Sequence, residues 1–179
     1  MKSKLHIFSC LVLGFICASC AKEPYNTNVA KIEFSNSLIL LNEGNYGWGE
    51  GEVSVTNLVR KTTQNSVFSG ANGIKLGNVV HSMARLGPNL FGLVVNNSSK
   101  IVLVDSTFKA IAEVSGLQSP RHILSLPNGL AYVSDLFAEA IHIVDLSKNK
   151  KVGTIPISGW TEQMVLHNGL VYVDRKSVV

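Results

Sequence analysis

The sequence predicts an all-β chain, a β-propeller of four-stranded antiparallel blades, and three observations carry that prediction. The chain repeats itself at a shift of forty positions, so that Leu90 aligns with Leu130 and Leu170, Ile101 with Ile141, and Val104-Asp105 with Val144-Asp145, without a gap. Each copy holds four short runs that alternate apolar with polar residues or are rich in β-branched ones, the pattern of half-buried strands. Beyond the N-terminal segment no stretch of helical length places apolar residues at the 3.6-residue period, which sets aside helical solenoids of similar repeat length.

Taken in order, the chain opens with Lys2 and Lys4, an apolar run from Leu5 to Ile16, and the small residues Ala18-Ser19 before Cys20. Positive, apolar and small segments in that order predict a secretory signal over residues 1–19, too short to span a bilayer comfortably as a permanent helix. The residues before Cys20 resemble a bacterial lipobox, with Cys17 where that pattern usually has Leu, so Cys20 is expected to be lipidated. The alternative is plain signal cleavage that leaves Cys20 a free thiol. Residues 20–36 begin "CAKEPYNTNVA" and read as a polar tether between lipid and domain.

All three cysteines, Cys10, Cys17 and Cys20, fall in this leader, so the exported domain is expected to be held together by packing without an internal disulfide. The 46% hydrophobic content is enough for a core. The net charge of +4 falls by two when Lys2 and Lys4 are removed, too small a bias to predict nucleic acid as a partner.

The partial propeller is expected over 37–179, in units near 37–80, 81–120 and 121–160 and a cut fourth at 161–179. In the first unit "SLILLN", "EVSVTN" and "TTQNSVF" match the second, third and fourth strands, with about six extra residues between the first two of these runs. Its own first strand is either "KIEF" or absent. The next unit reads "SMARL", "LFGLVV", "KIVLVD" and "AIAEV", and the one after it "HILSL", "LAYVSD", "AIHIVD" and "KVGTIPI". Between first and second strands, Gly87-Pro88-Asn89, Pro127-Asn128-Gly129 and His167-Asn168-Gly169 supply a fixed φ or tolerate a positive one. Asp105 and Asp145 end third strands, where a carboxylate accepts hydrogen bonds from the turn that follows. Seven blades would need roughly 280 residues, so about three of seven are expected here.

Ligands reach a propeller at the mouth of its channel, which is rimmed by the connections between blades and the loops between second and third strands. The first set carries Val80-His81-Ser82, Pro120-Arg121-His122 and Trp160-Thr161-Glu162-Gln163; the second carries Asn42 to Gly51, Asn96 to Ser99 and Asp135 to Ala138. "NEGNYGWGEG", residues 42 to 51, combines four glycines with two flat aromatic faces, Tyr46 and Trp48, and the amide of Asn45. That mixture suits a large ligand with planar and amide groups; the alternative is a long connection whose aromatics tuck onto the blade edge. His81 and Arg121 occupy matching positions in successive units, with Thr161 third. His122 is expected to point into its blade, and His142 and His167 are not expected to be ligands. Asp105, Asp145 and Glu162 are read as turn or loop carboxylates, and "GANGIKLG" as a loop, its glycines wrongly spaced for a dinucleotide. With no HExxH, GxSxG, Walker or CxxC motif, the sequence predicts no catalytic residues, no metal ligands and no cofactor.

"AYVSDLFAEAIHIVDLSKNKKVGTIPISG" resembles the YVTN-type propeller repeat. More specifically, "LILLNEGNYGWGEGEVSVTN", "ANGIKLGNVVHSM", "LVVNNSSKIVLVD" and "SPRHILSL" resemble the YncE-like seven-bladed surface lipoproteins of Bacteroidetes. That group includes the cobalamin-capturing lipoprotein of vitamin B12 uptake, and the Lys22-Glu23 pair loosely resembles its surface-export signal. The resemblance implies a non-enzymatic protein, anchored by lipid at the outer membrane and exposed at the cell surface. It would capture a corrinoid or a similar small molecule and pass it to a TonB-dependent outer-membrane transporter. By loop position, the ligand contacts it implies are Asn45, Tyr46, Trp48, His81, Asn97, Arg121 and Trp160. A propeller hydrolase, a quinoprotein-like enzyme and a surface adhesion protein remain as alternatives.

Overall fold

The computed structural model describes residues 34–176, so the signal segment 1–19, Cys20 and the tether up to residue 33 lie outside the described residues. Four antiparallel sheets follow one another along the chain. The first holds β1 (Ser37–Asn42), β2 (Glu52–Asn57) and β3 (Thr62–Gln64) in that order. The second runs β4 (Val80–Gly87), β5 (Leu90–Val95), β6 (Lys100–Val104) and β7 (Ala110–Val114). The third runs β8 (Pro120–Ser125), β9 (Leu130–Asp135), β10 (Ala140–Asp145) and β11 (Lys150–Pro156), and β12 (Trp160–His167) pairs with β13 (Leu170–Lys176) in the fourth. Each sheet is a meander of neighbouring strands, as the short turns between the runs require.

Period-two alternation explains how the second sheet stacks. Phe91, Leu93 and Val95 of β5, with Val102 and Val104 of β6, join Val53, Val55 and Phe68 in a core against the first sheet. Val94, with Ile101 and Leu103 of β6, faces the other way and packs on Ile123, Ala131, Val133 and Val144 of the third sheet. A sheet buried on both faces reads as a continuous apolar run, which is why "LFGLVV" and "KIVLV" look as they do. Gly92 sits where the second sheet meets the third; a Cβ there would lie 3.0 Å from Leu86 Cδ1 and 3.3 Å from Ile123 Cγ2. The first strands β4, β8 and β12 lie in mutual contact in succession, whereas the outermost β7 and β11 meet only marginally. Sheets that converge at their first strands and splay at their fourth are wedges around an axis, the geometry of propeller blades.

Two expectations fail in the first sheet. The run "TTQNSVF" is a strand only over Thr62–Gln64, and Val67–Asn72 forms a short helix, α1. Glu52 accounts for it, because its carboxylate accepts hydrogen bonds from the backbone N–H groups of Phe68 (2.9 Å) and Ser69 (3.2 Å), donors that a helix start leaves orphaned. "GANGIKLG" therefore begins inside α1 and becomes loop at Gly73. Of "KIEF", Phe34 opens a 3-10 turn (Phe34–Asn36) and stacks on Phe91 at 5.0 Å, so among the described residues this sheet has three strands. The turn aspartates behave as expected: Asp105 accepts from the Thr107 and Lys109 N–H groups, and Asp145 from Ser147 and Lys148.

Candidate functional site

The residues expected in inter-blade loops belong instead to the first strands, and each of those strands breaks register near its start. The shift falls between Val80 and Ser82 in β4, between Pro120 and Ile123 in β8, and between Thr161 and Met164 in β12. Each is a β-bulge, in which two residues face one on the partner strand and a side chain is re-aimed. In β8 the bulge is stitched by Ser134, whose hydroxyl oxygen accepts from the His122 N–H at 3.1 Å. The backbone entering β4 is also unusual: Val79 is held at φ 61, a left-handed conformation that a β-branched residue rarely adopts, and its carbonyl accepts from the Asn96 N–H at 2.8 Å.

The three bulges bring together His81, Arg121, His122 and Glu162. The imidazoles of His81 and His122 meet edge to face with centroids 5.2 Å apart. Arg121 Nε donates to Glu162 Oε2 at 2.9 Å, Lys176 Nζ donates to Oε1 at 3.3 Å, and His122 Nε2 stands 3.9 Å from Oε2. Burial, reinforced by the charge of Arg121 and of His122, pushes the His81 pKa below its ordinary value against the pull of Glu162 and Glu43. Burial likewise lowers His122, with Glu162 opposing and Arg121 assisting. For Glu162 burial acts upward, but the hydrogen bond and charge of Arg121 and then of Lys176 outweigh it and lower the pKa. At neutral pH the cluster is therefore two neutral imidazoles around a paired, ionised carboxylate.

This arrangement corrects three expectations. His122 turns toward His81 instead of into its blade. Glu162 is a buried ion-pair partner on a strand and not a loop carboxylate. Thr161, the third matched position, is buried away from the cluster, its Oγ1 bridging the N–H and C=O of Asp135 at 3.0 Å each. The repeat carries a signal for grouping His122 and Glu162 with His81: they lie forty-one and eighty-one positions beyond it, beside the matched positions.

The loop between β1 and β2 carries Asn45, Tyr46 and Trp48, and it does not fold its aromatics onto the blade. Trp48 is 96% and Tyr46 75% exposed. The loop is nevertheless held, and Asn78 holds it. The Asn78 amide donates to the carbonyls of Asn45 (2.9 Å) and Gly49, and its Oδ1 accepts from the Gly47 N–H (3.0 Å) and from Asn97 Nδ2 (2.7 Å). Asn97 thus reaches the aromatic loop through a residue that sequence reading passed over inside "KLGNVV". The same loop abuts the start of β4, where the Val80 N–H donates to the Glu43 carbonyl at 3.2 Å. Trp160 begins β12, is 37% exposed, and packs edge to face on Phe137 at 6.2 Å. His142 is buried and bonds Asp135 through Nε2 at 3.1 Å.

Wedge-shaped four-stranded sheets with polar side chains gathered at the bulged inner strands define a β-propeller. Solved structures agree on the fold. The chain is similar to the WD40 β-propeller domain of Doa1, with 18% identity and a TM-score of 0.61 over 82% of this chain and 46% of that one. It is also similar to the luciferin-regenerating enzyme, with 10% identity, TM-score 0.56, and 80% and 55% coverage. A chain of the nidogen/laminin complex matches with 10% identity, TM-score 0.51, and 69% and 44% coverage. The chain thus spans about half the length of these structures, whose low identities speak for fold alone. No family model and no curated protein sequence matches it.

Proposed function

We propose that this chain belongs to a binding propeller that captures a small-molecule nutrient at the rim of its channel, with a corrinoid as the candidate ligand. The observation that carries the reading is the Asn78-held loop, which spends its hydrogen bonds on presenting Trp48 and Tyr46 to solvent. Leaving two large aromatics uncovered on an ordered loop forgoes their burial, roughly 1.5–3 kcal/mol for a large apolar side chain, a loss that contact with a flat ligand would recover. Asn45, Asn97, His81, Arg121 and Trp160 supply the polar and aromatic contacts around it. Corrinoid as the ligand rests on the resemblance of "LILLNEGNYGWGEG" and "LGNVVHSM" to the Bacteroidetes surface lipoproteins. The same resemblance supports lipid anchoring at Cys20, exposure on the outer membrane, and transfer to a TonB-dependent transporter without turnover.

Titration of the purified protein with cyanocobalamin, followed by calorimetry and by quenching of tryptophan fluorescence, tests this reading. Saturable binding is expected, weakened at least tenfold in Trp48→Ala, which corresponds to about 1.4 kcal/mol. Absence of heat together with an unchanged corrinoid spectrum refutes it.

A further inference from the structure

We propose that His81, His122 and Glu162 form a three-ligand site for a divalent first-row transition metal, with Zn²⁺ the expected occupant. One ligand atom from each of these residues lies within 4.8 Å of the other two. In a tetrahedral zinc site, metal–ligand bonds of about 2.0–2.1 Å place neighbouring ligand atoms about 3.3 Å apart. The contraction required is therefore on the order of 1 Å, within reach of side-chain rotation on three separate strands. Two imidazole nitrogens with one carboxylate oxygen are a donor set that three-ligand zinc sites use.

Arg121 and Lys176 are the evident objection, since both place positive charge on Glu162. An ionised carboxylate has about four lone-pair sites, and each of these donors takes one. Oε2, which accepts from Arg121, is also the oxygen nearest His122 Nε2, so a metal seated between them would share that atom with the guanidinium. Carboxylates that ligate metals are commonly hydrogen-bonded in turn, and here the bonds fix the rotamer of a residue at a bulge. The two cations lower the affinity without blocking the position, so binding weaker than that of structural zinc sites is expected. Three protein ligands leave a fourth position for water or an incoming donor. The site sits on bulges in three successive first strands, so one ion would tie three blades together at the propeller axis.

The inference stands apart from corrinoid capture, and metal alone tests it. The purified protein, with no corrinoid present, is titrated with Zn²⁺ against a chromogenic chelator and with Co²⁺ by visible absorption. One equivalent bound is expected, with the intense visible bands of low-coordinate Co²⁺. Affinity should fall at least tenfold in His81→Asn and in His122→Ala, and the equivalent should disappear from the double variant H81A/H122A. His81 is half-buried and its ring packs edge to face on His122, so His81→Asn is expected to keep the fold, as circular dichroism would verify. No bound equivalent in the parent protein overturns the inference. So does an equivalent that survives in the double variant, because the metal would then sit elsewhere.

Discussion

Asp135 is the most heavily bonded side chain in the third blade, and replacing it by Asn is expected to be severe. It has no solvent exposure, yet five groups donate to it: the N–H groups of Gln118, Ser119, Phe137 and Ala138, and His142 Nε2. Burial alone would raise its pKa, but the His142 bond and then the backbone donors prevail and hold it down to about 2, against an ordinary 3.8. That difference is worth about 2 kcal/mol of folding stability. Because the folded pKa lies below the unfolded one, this stability is fully present above about pH 4 and is lost as pH falls through about 2. An Asn at 135 keeps one acceptor oxygen and turns an amide NH₂ toward donors that Oδ2 now satisfies, Gln118 N–H and His142 Nε2. A buried donor left unsatisfied costs about 1–3 kcal/mol, and His142 Nε2 is buried whereas the Gln118 N–H is only partly so, so D135N should destabilise by about 2–4 kcal/mol. Urea denaturation from pH 7 to pH 2 measures both quantities. A loss under about 1 kcal/mol in D135N would refute the reasoning, as would a parent protein whose stability does not fall between pH 4 and pH 2.

Two further perturbations follow from the rim and the first blade. Asn78→Ala should cost about 1–2 kcal/mol and raise amide exchange at Gly47 and Gly49; Trp48 fluorescence anisotropy should fall as the loop loses its anchor. Glu52→Ala removes the acceptor for the Phe68 and Ser69 N–H groups and should lower stability by about 1–2 kcal/mol, with Glu52→Gln costing less; equal urea midpoints for all three proteins would contradict the capping role.

Blade architecture was legible in the residues because its signals are local. Alternation in "LAYVSD" and "AIHIVD", a Pro-Asn-Gly or His-Asn-Gly turn, and an aspartate after the third strand each act over a few positions and repeat every forty. Strand β9 (Leu130–Asp135) and strand β10 (Ala140–Asp145) coincide with the runs read from sequence. The departure at Val67–Asn72 has a long-range cause, the Glu52 carboxylate fifteen or more positions upstream, and no local pattern announces it. The exposure of Trp48 was likewise undecidable from composition, since a glycine-rich loop can fold inward or outward, and Asn78, thirty residues on, selects outward.

By itself the sequence determined the repeat, the order of the strands in the second and third sheets and the turns between them, because hydrophobic period and turn chemistry belong to each segment separately. Tertiary structure alone decided which side chains meet. A bulge shifts facing by one residue, so His122 rather than Arg121 turns to His81, and Glu162 rather than Thr161 completes the group. That convergence depends on three sheets packing as wedges, a relation between distant blades that no single stretch of chain contains.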